Sequence, residues 1–345
     1  MTIPKVSIII VNWNGISYLP TCLDSLERQT FRDFETILVD NGSHDGSLEL
    51  VRDKYPWVKL IALPANSGFS GGNNEGLKHA AGEYIVVLNN DTAAEPGWLA
   101  ELVAVAEANP AAGQVGCRIC SMHDHDIIDS LGHGVCPDGM TRGRFRLRRW
   151  STLAGRFDPV SEMLFGTACV SLYRRAALDQ VGFFDDDMFA FAEDSDLGLR
   201  LRWGGWKALL ATEAVVYHKY SGTGGVFSPF KLYLVERNHY WVAVKNFPIT
   251  MLLMVPFYTV ARYLVQVQVV LAGKGSGGEF AASVSKRQIL GALLNGTLDA
   301  LAGLPLMFRK RRAIMKSARI SGGEMRALLK RYRMTFHELL DNGKP

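Results

Sequence analysis

Several common architectures are missing from this chain. Its five cysteines (Cys22, Cys117, Cys120, Cys136, Cys169) are odd in number and scattered over 345 residues, which argues against a disulfide framework. Cys117 and Cys120 form a lone CxxC with no second pair, too little for a structural zinc site, so they read as buried or loop thiols. No internal repeat or low-complexity stretch is evident. Charged residues reach only 21% against 48% apolar, the balance of a packed protein without disordered tracts. Met1–Val6 leads into a strand-like run with no leader pattern, and the expectation is a cytoplasmic active region.

Acidic residues are scarce in the last third. Residues 226–345 hold 18 Lys+Arg against 6 Asp+Glu, whereas residues 1–225 hold 20 against 28. A basic tail implies an anionic partner, either nucleic acid or an anionic membrane surface. Ile249–Ala272 decides for the membrane, with one charge (Arg262) and two glutamines (Gln266, Gln268) in 24 residues. As one helix it is about 36 Å long, although Pro256 interrupts it. A glycine-rich break at Gly273–Gly278 precedes an apolar helix near Ile289–Leu306 and a basic helix from Arg309. Residues 226–345 are therefore expected to form a basic, apolar helical region lying in one membrane face, with a spanning helix or a soluble appendage as alternatives. Nucleic acid is not expected as a partner.

Residues 1–225 alternate between strand and helix patterns. Val6–Val11 is a continuous β-branched run, as in a strand buried on both faces. Thr36–Val39, Val58–Ala62 and Tyr84–Leu88 read as further strands, with helices over Leu19–Leu26, Asn74–Ala81 and Gly97–Ala108. This alternation predicts an α/β domain on a mostly parallel sheet with right-handed crossovers. The section 115–165 is less regular and carries Arg142, Arg144, Arg146, Arg148 and Arg149, which read as a face for an anionic acceptor or as a solvated strand.

Two acidic clusters carry the chemistry. Asn89-Asn90-Asp91 ends an apolar strand, where α/β sheets bind ligands. One Asp with amides and diphosphate oxygens suits Mg²⁺ or Mn²⁺. Glu193, Asp194 and Asp196 crowd a helix start, where repulsion raises a pKa and the helix dipole lowers it. A carboxylate there can take a hydroxyl proton. Asp40 ends a strand before Asn41-Gly42 and can accept hydrogen bonds from a base or ribose. Asn66–Gly76 is glycine-rich before a helix, a backbone able to approach a diphosphate. It is neither a Walker A segment nor a dinucleotide fingerprint. His218 closes an apolar strand, and imidazole suits Mn²⁺. His123–Asp126 reads as strand residues pointing to opposite faces, a poor metal cluster.

Taken in order, VSIIIVNWNG (6–15), ILVDNGSHDGS (37–47), NSGFSGGNNEGL (66–77), YIVVLNNDT (84–92) and FAEDSDLGLRLRWGGWK (191–207) resemble the family 2 glycosyltransferases. That family has the GT-A nucleotide-sugar fold, and the pattern is that of its bacterial rhamnosyltransferase-like branch. The resemblance implies donor binding by Asn12, Asn14, Asp40, Gly68, Gly72, Asn74 and Asn90. It implies a DxD-type metal site reduced to Asp91 and completed by His218, holding Mg²⁺ or Mn²⁺. It further implies Asp194 as base, Glu193 beside it, and Asp196 and Arg144 toward the acceptor. The reaction expected is a single inverting displacement from a dTDP- or UDP-linked sugar to a lipid-linked or cell-envelope glycan. L-rhamnose from dTDP-L-rhamnose is the first expectation, with galactofuranose, mannose and glucose as rivals. The seat expected is the cytoplasmic face of the inner or plasma membrane, peripheral or monotopic. A non-catalytic sugar-nucleotide-binding protein is the alternative, because Asn89 stands where a second acid belongs.

Overall fold

The computed structural model describes residues 3–219, 228–271 and 284–341. Strand β1 (Val6–Asn12) is buried almost throughout, and its alternation feeds two cores. Val6, Ile8 and Ile10 face α1 (Leu19–Glu27) and α4 (Trp98–Ala108), while Ile9 joins residues of α5 (Arg175–Val181) and α6 (Glu193–Trp203). Such two-sided burial explains why the run is continuously apolar rather than alternating.

The sheet is mixed. Strands β3 (Lys59–Ala62), β2 (Phe34–Asp40), β1 and β4 (Tyr84–Leu88) are parallel neighbours. The helices α2 (Ser47–Lys54) and α3 (Gly68–Lys78) fall within this half. Beyond β4 the strand β11 (Val170–Arg174) enters antiparallel, followed by β6 (Ala112–Ser121), β12 (Lys207–His218) and β10 (Val160–Met163). Two short strands complete it, with β5 (Thr92–Ala94) on β12 and β7 (Ile128–Ser130) on β6. A separate hairpin pairs β8 (His133–Val135) with β9 (Thr141–Gly143).

The helical tail shares its core with the sheet domain. It comprises α7 (Pro229–Asn246), α8 (Ile249–Leu252), α9 (Val255–Leu271), α10 (Lys286–Ala302), α11 (Leu304–Ser317), α12 (Gly322–Arg331) and α13 (Phe336–Leu340). Leu199 and Trp203 of α6 pack with Trp241, Val242, Phe247, Met307 and Leu329 in one apolar cluster. One cluster thus draws side chains from both the sheet domain and the helical tail.

The stretch Ile249–Ala272 is not one helix. It breaks at Leu253-Met254, just ahead of Pro256, whose ring opposes helix continuation from the preceding turn. Arg262 is fully buried against Glu236 and Asp138, so this face of α9 meets protein. The opposite face exposes Phe257, Val260, Leu264 and Val267. Among the described residues no single helix is long and apolar enough to cross a membrane; α10 and α11, bent by 57°, reach that length and composition only together. Gly273–Gly278 lies outside the described residues.

Candidate active site

The parallel strands end in a linked set of polar side chains. Asn12 is buried and donates to Asp40 Oδ2 at 3.1 Å, while its Oδ1 accepts from Asn90 Nδ2 at 2.7 Å. Asp40 Oδ1 accepts from the Ser43 amide at 2.9 Å. Each Asp40 oxygen therefore already serves the protein. Gly15 closes this corner, since a Cβ there meets Asn90 Nδ2 at 2.3 Å. Asn14 adopts a left-handed backbone (φ 49°), and its Oδ1 accepts from the His44 amide. It stays exposed at the mouth of the cradle.

The glycine-rich segment departs from the phosphate-loop reading. Helix α3 begins at Gly68 rather than near Asn74. Gly68 has φ +80°, and a Cβ on it meets Phe189 O at 2.4 Å; one on Gly72 meets Val11 Cγ1 at 2.7 Å. These glycines let the helix lie close to its neighbours. The amides of Ser67, Gly68 and Ser70 are taken by Asn41, Asn66 and Phe189 O, leaving none of those three open to an anion. Asn74 Nδ2 donates to Phe184 O and Asp186 Oδ1 at 2.9 and 2.6 Å. Gly68 and Asn74 accordingly contact the loop 184–191, whereas Gly72 lies against Val11 and Asn41.

Strand register creates the second cluster. Antiparallel pairing of β5 with β12 sets Thr92 opposite His218, bringing Asp91 alongside the histidine across 127 residues. His218 Nε2 lies 3.3 Å from Asp91 Oδ1, and its Nδ1 lies 2.7 Å from Asp129 Oδ2. Burial disfavours the imidazolium, but Cys169, Asp129 and Asp91 outweigh it and hold His218 well above its ordinary pKa. A separation of 3.3 Å suits two ligands of one small cation with bonds of about 2.0–2.2 Å, so the pair fits a divalent ion. Among the described residues no group of three or more His, Cys, Asp or Glu is placed to hold a metal alone. Any further ligands would have to come from outside the chain, as in Mg²⁺-type sites that keep water and phosphate oxygens.

The third cluster opens α6. Phe189, Phe191 and Ala192 all have positive φ (63°, 68° and 65°), a concentration of backbone strain of the kind found at functional sites. Asp194 is half-buried; it accepts from the amides of Ala168 at 3.2 Å and Ser195 at 2.7 Å, and from Ser195 Oγ at 3.1 Å. Glu193 is buried with its Oε2 unbonded among the described residues. Burial, then the Asp194 charge, push its pKa up to about 8. The two adjacent acids are thereby differentiated, with Glu193 protonated at neutral pH.

Asp196 and Arg144, expected toward the acceptor, both have partners within the protein. Asp196 is fully buried and binds Arg200 Nε at 2.8 Å, Lys245 Nζ at 2.8 Å and Asn246 Nδ2 at 2.9 Å. It is an ion-pair hub joining α6 to α7, and those cations hold its carboxyl far below the usual range despite burial. Arg144 follows β9 in a turn. Its guanidinium stacks on Phe145 and Tyr332 at 5.0 and 5.6 Å. Of the neighbouring arginines, Arg146 pairs with Asp129, and Arg149 pairs with Asp124 and Asp126 at the surface. His123–Asp126 is a turn rather than a strand, and His125 stacks on Tyr217.

The family model for glycosyl transferase family 2 matches residues 7–182. The chain belongs to this family. It is 32% identical over 238 residues to the N-acetylglucosaminyl-diphospho-decaprenol L-rhamnosyltransferase of Mycobacterium tuberculosis, covering 63% of this chain and 77% of that protein. It is 30% identical over 227 residues to the O-antigen biosynthesis protein RfbC of Myxococcus xanthus, covering 64% of this chain and 18% of that one. Among solved structures it resembles GalNAc-T7 with UDP, GalNAc and Mn²⁺ (TM-score 0.58, 18% identity, 70% of this chain and 48% of that chain). It also resembles the mannosyltransferase PcManGT of Pyrobaculum calidifontis with GDP-Man and Mn²⁺ (TM-score 0.54, 18% identity, 86% and 87%). These likenesses establish the GT-A-like α/β fold.

In this family 2 glycosyltransferase, three residues near the clusters carry no sequence motif that singles them out. Asp129 holds His218. Thr141 bonds Ser195 at 2.8 Å beside Asp194. His133, on the same hairpin face, stacks on Phe165 at 5.4 Å with its Nδ1 buried and unbonded among the described residues. Only β7 and the β8–β9 hairpin bring them there.

Proposed function

We propose that this glycosyltransferase moves L-rhamnose from dTDP-L-rhamnose to a hydroxyl of a lipid-linked glycan, with inversion and with Mg²⁺ or Mn²⁺ at Asp91 and His218. The observation that carries the mechanism is the Asp194 carboxylate, partly exposed and fixed by three donors at the strained start of α6. Asp194 takes the proton of the acceptor hydroxyl as that oxygen bonds to the anomeric carbon. The bond from that carbon to the nucleoside diphosphate breaks on the opposite face, and its electron pair leaves with the diphosphate. One displacement inverts the centre. Glu193, kept neutral by its surroundings, adds no second negative charge beside the base. Asp91 and His218 would hold the cation, whose charge would offset that developing on the leaving diphosphate.

The name of the mycobacterial relative supports rhamnose as the sugar and a polyprenyl diphosphate glycan as the acceptor. The Mn²⁺ in both structural neighbours supports a divalent ion. The basic tail and the exposed apolar side chains of α9 and α10 support a peripheral seat on the anionic cytoplasmic membrane face. The test is turnover of dTDP-L-rhamnose against UDP- and GDP-linked hexoses, with Mn²⁺ or with chelator, and the product anomer read by NMR. Preference for another donor displaces the rhamnose reading; retention at the anomeric carbon displaces the single displacement.

A further inference from the structure

We propose that Asp129 is the positioning residue of the metal-side histidine: its carboxylate accepts Nδ1–H of His218 and thereby turns the Nε2 lone pair toward Asp91. This rests on the reading of Asp91 and His218 as the cation's ligands.

The geometry is specific. Asp129 Oδ2 lies 2.7 Å from His218 Nδ1, while Nε2 of the same ring lies 3.3 Å from Asp91 Oδ1. A neutral imidazole has one N–H and one lone pair, so the partner of one nitrogen decides the role of the other. Both nitrogens face a carboxylate, so it is a cation taking the Nε2 position that leaves the ring its one N–H at Nδ1, where the Asp129 carboxylate can only accept. The ring is buried, so water does not compete freely for either nitrogen.

The sheet makes the arrangement rigid. Asp129 sits on β7, which pairs with β6, and β6 pairs in turn with the end of β12, where Ser121 stands opposite His218. Arg146 holds the other side of the carboxylate, with Nε 3.5 Å from Oδ1. Gly143 crosses directly over the Asp129 backbone, where an added Cβ meets Asp129 O at 3.0 Å. The carboxylate thus has a charged partner on each side and little room to turn. A purely structural reading makes Asp129 the counterion of Arg146 and nothing more. The two readings differ in what happens to the cation.

The experiment uses the full chain with saturating dTDP and measures Mn²⁺ affinity by electron paramagnetic resonance. Asp129→Asn can offer its amide N–H to Nδ1 and so shift the ring proton to Nε2. The expected result is Mn²⁺ affinity weakened by roughly 10–100-fold, the range for lost outer-shell partners of metal-bound histidine, with an unchanged far-UV spectrum. Affinity within twofold of wild type overturns the proposal and makes Asp129 the partner of Arg146. A second reading needs no variant: ¹H–¹⁵N spectra of the wild-type chain with Mg²⁺ and dTDP should show His218 protonated at Nδ1 and bare at Nε2. The opposite tautomer also overturns it. Wild type that binds no Mn²⁺ removes the metal reading of Asp91 and His218 and this inference with it, a result distinct from a variant that keeps full affinity.

Discussion

Arg262 Nη2 lies 2.9 Å from Glu236 Oε1, and neither side chain meets solvent. Arg262 Nε also pairs with Asp138, which precedes β9, and Tyr263 Oη donates to Glu236 at 2.6 Å. The one charge in the apolar stretch of the tail therefore fastens α9 to α7 and to the sheet domain. Removing it strands two buried carboxylates. Arg262→Met should cost about 3–5 kcal/mol, the range for breaking a buried pair on one side. Urea unfolding measures it, and the triple change with Glu236→Gln and Asp138→Asn should recover much of the loss. A near-neutral single variant means the network contributes nothing to docking the tail.

Glu193 makes the fold pH-dependent in a defined direction. Its pKa rises from the ordinary carboxylate value to about 8, by burial first and the Asp194 charge second. The folded chain therefore binds a proton there that the unfolded chain releases near pH 4.5. Stability from this group is complete below that pH and is lost as pH rises through about 8. Glu193→Gln should remove the dependence, with a gain on the order of 3 kcal/mol at pH 9 and little change at pH 4. Parallel urea curves at both pH values, with no difference between wild type and variant, would show that Glu193 is not held protonated.

How much of this site can be read from residues alone depends on what sets each contact. Asp91 and Asp194 stand out because a strand end and a helix start give a carboxylate a direction before any tertiary contact forms. Asp129 does not, since Ile128-Asp129-Ser130 reads like any edge strand until β6 pairs with it. Gly68 and Gly72 mislead for a physical reason. Glycine is needed wherever a Cβ does not fit, and the sequence cannot say whether the space belongs to a phosphate or to Phe189 and Val11. Asp196 carries a clue in its spacing, because Arg200 follows at i+4 and pairs with it. Lys245, which completes that hub, is 49 residues away and belongs to the tail. The parallel half of the sheet is legible in its apolar runs. The antiparallel entry of β11 is not, because Val170–Arg174 is a short, ordinary strand.

The base assignment has a sharper test than the fold. Asp194→Asn keeps a side chain of the same size whose one oxygen can still accept from the Ser195 amide, while the Ala168 amide loses its acceptor. It removes the proton acceptor. Turnover should fall by roughly 10²–10⁴-fold, with dTDP affinity and melting temperature close to wild type. Near-normal transfer by this variant rejects Asp194 as the base, and a parallel loss of dTDP binding assigns it to the donor instead.

Membrane attachment follows from what α8–α10 leave uncovered. Leu253, Phe257, Val260, Leu264 and Val267 recur at steps of four and three and are each more than half exposed, as are Leu290, Leu294, Leu298 and Leu301 on α10. Exposed apolar stripes of this length carry a cost in water that a lipid interface removes. Arg309, Lys310, Arg311, Arg312 and Lys316 on α11 add positive charge beside them, at about 1 kcal/mol for each one that reaches an anionic surface. Lys310 is already paired with Asp185 and Asp187, and Arg311 with the Val244 and Phe247 carbonyls, which leaves Arg309, Arg312 and Lys316 to meet lipid. The chain should therefore float with vesicles containing phosphatidylglycerol and less with neutral ones, and high salt should weaken the binding. Phe257→Asp with Leu264→Asp should abolish flotation while donor turnover in solution persists. If these variants instead turn a dimer into a monomer with flotation unchanged, the stripe of α9 pairs two copies of the chain and the lipid contact lies elsewhere.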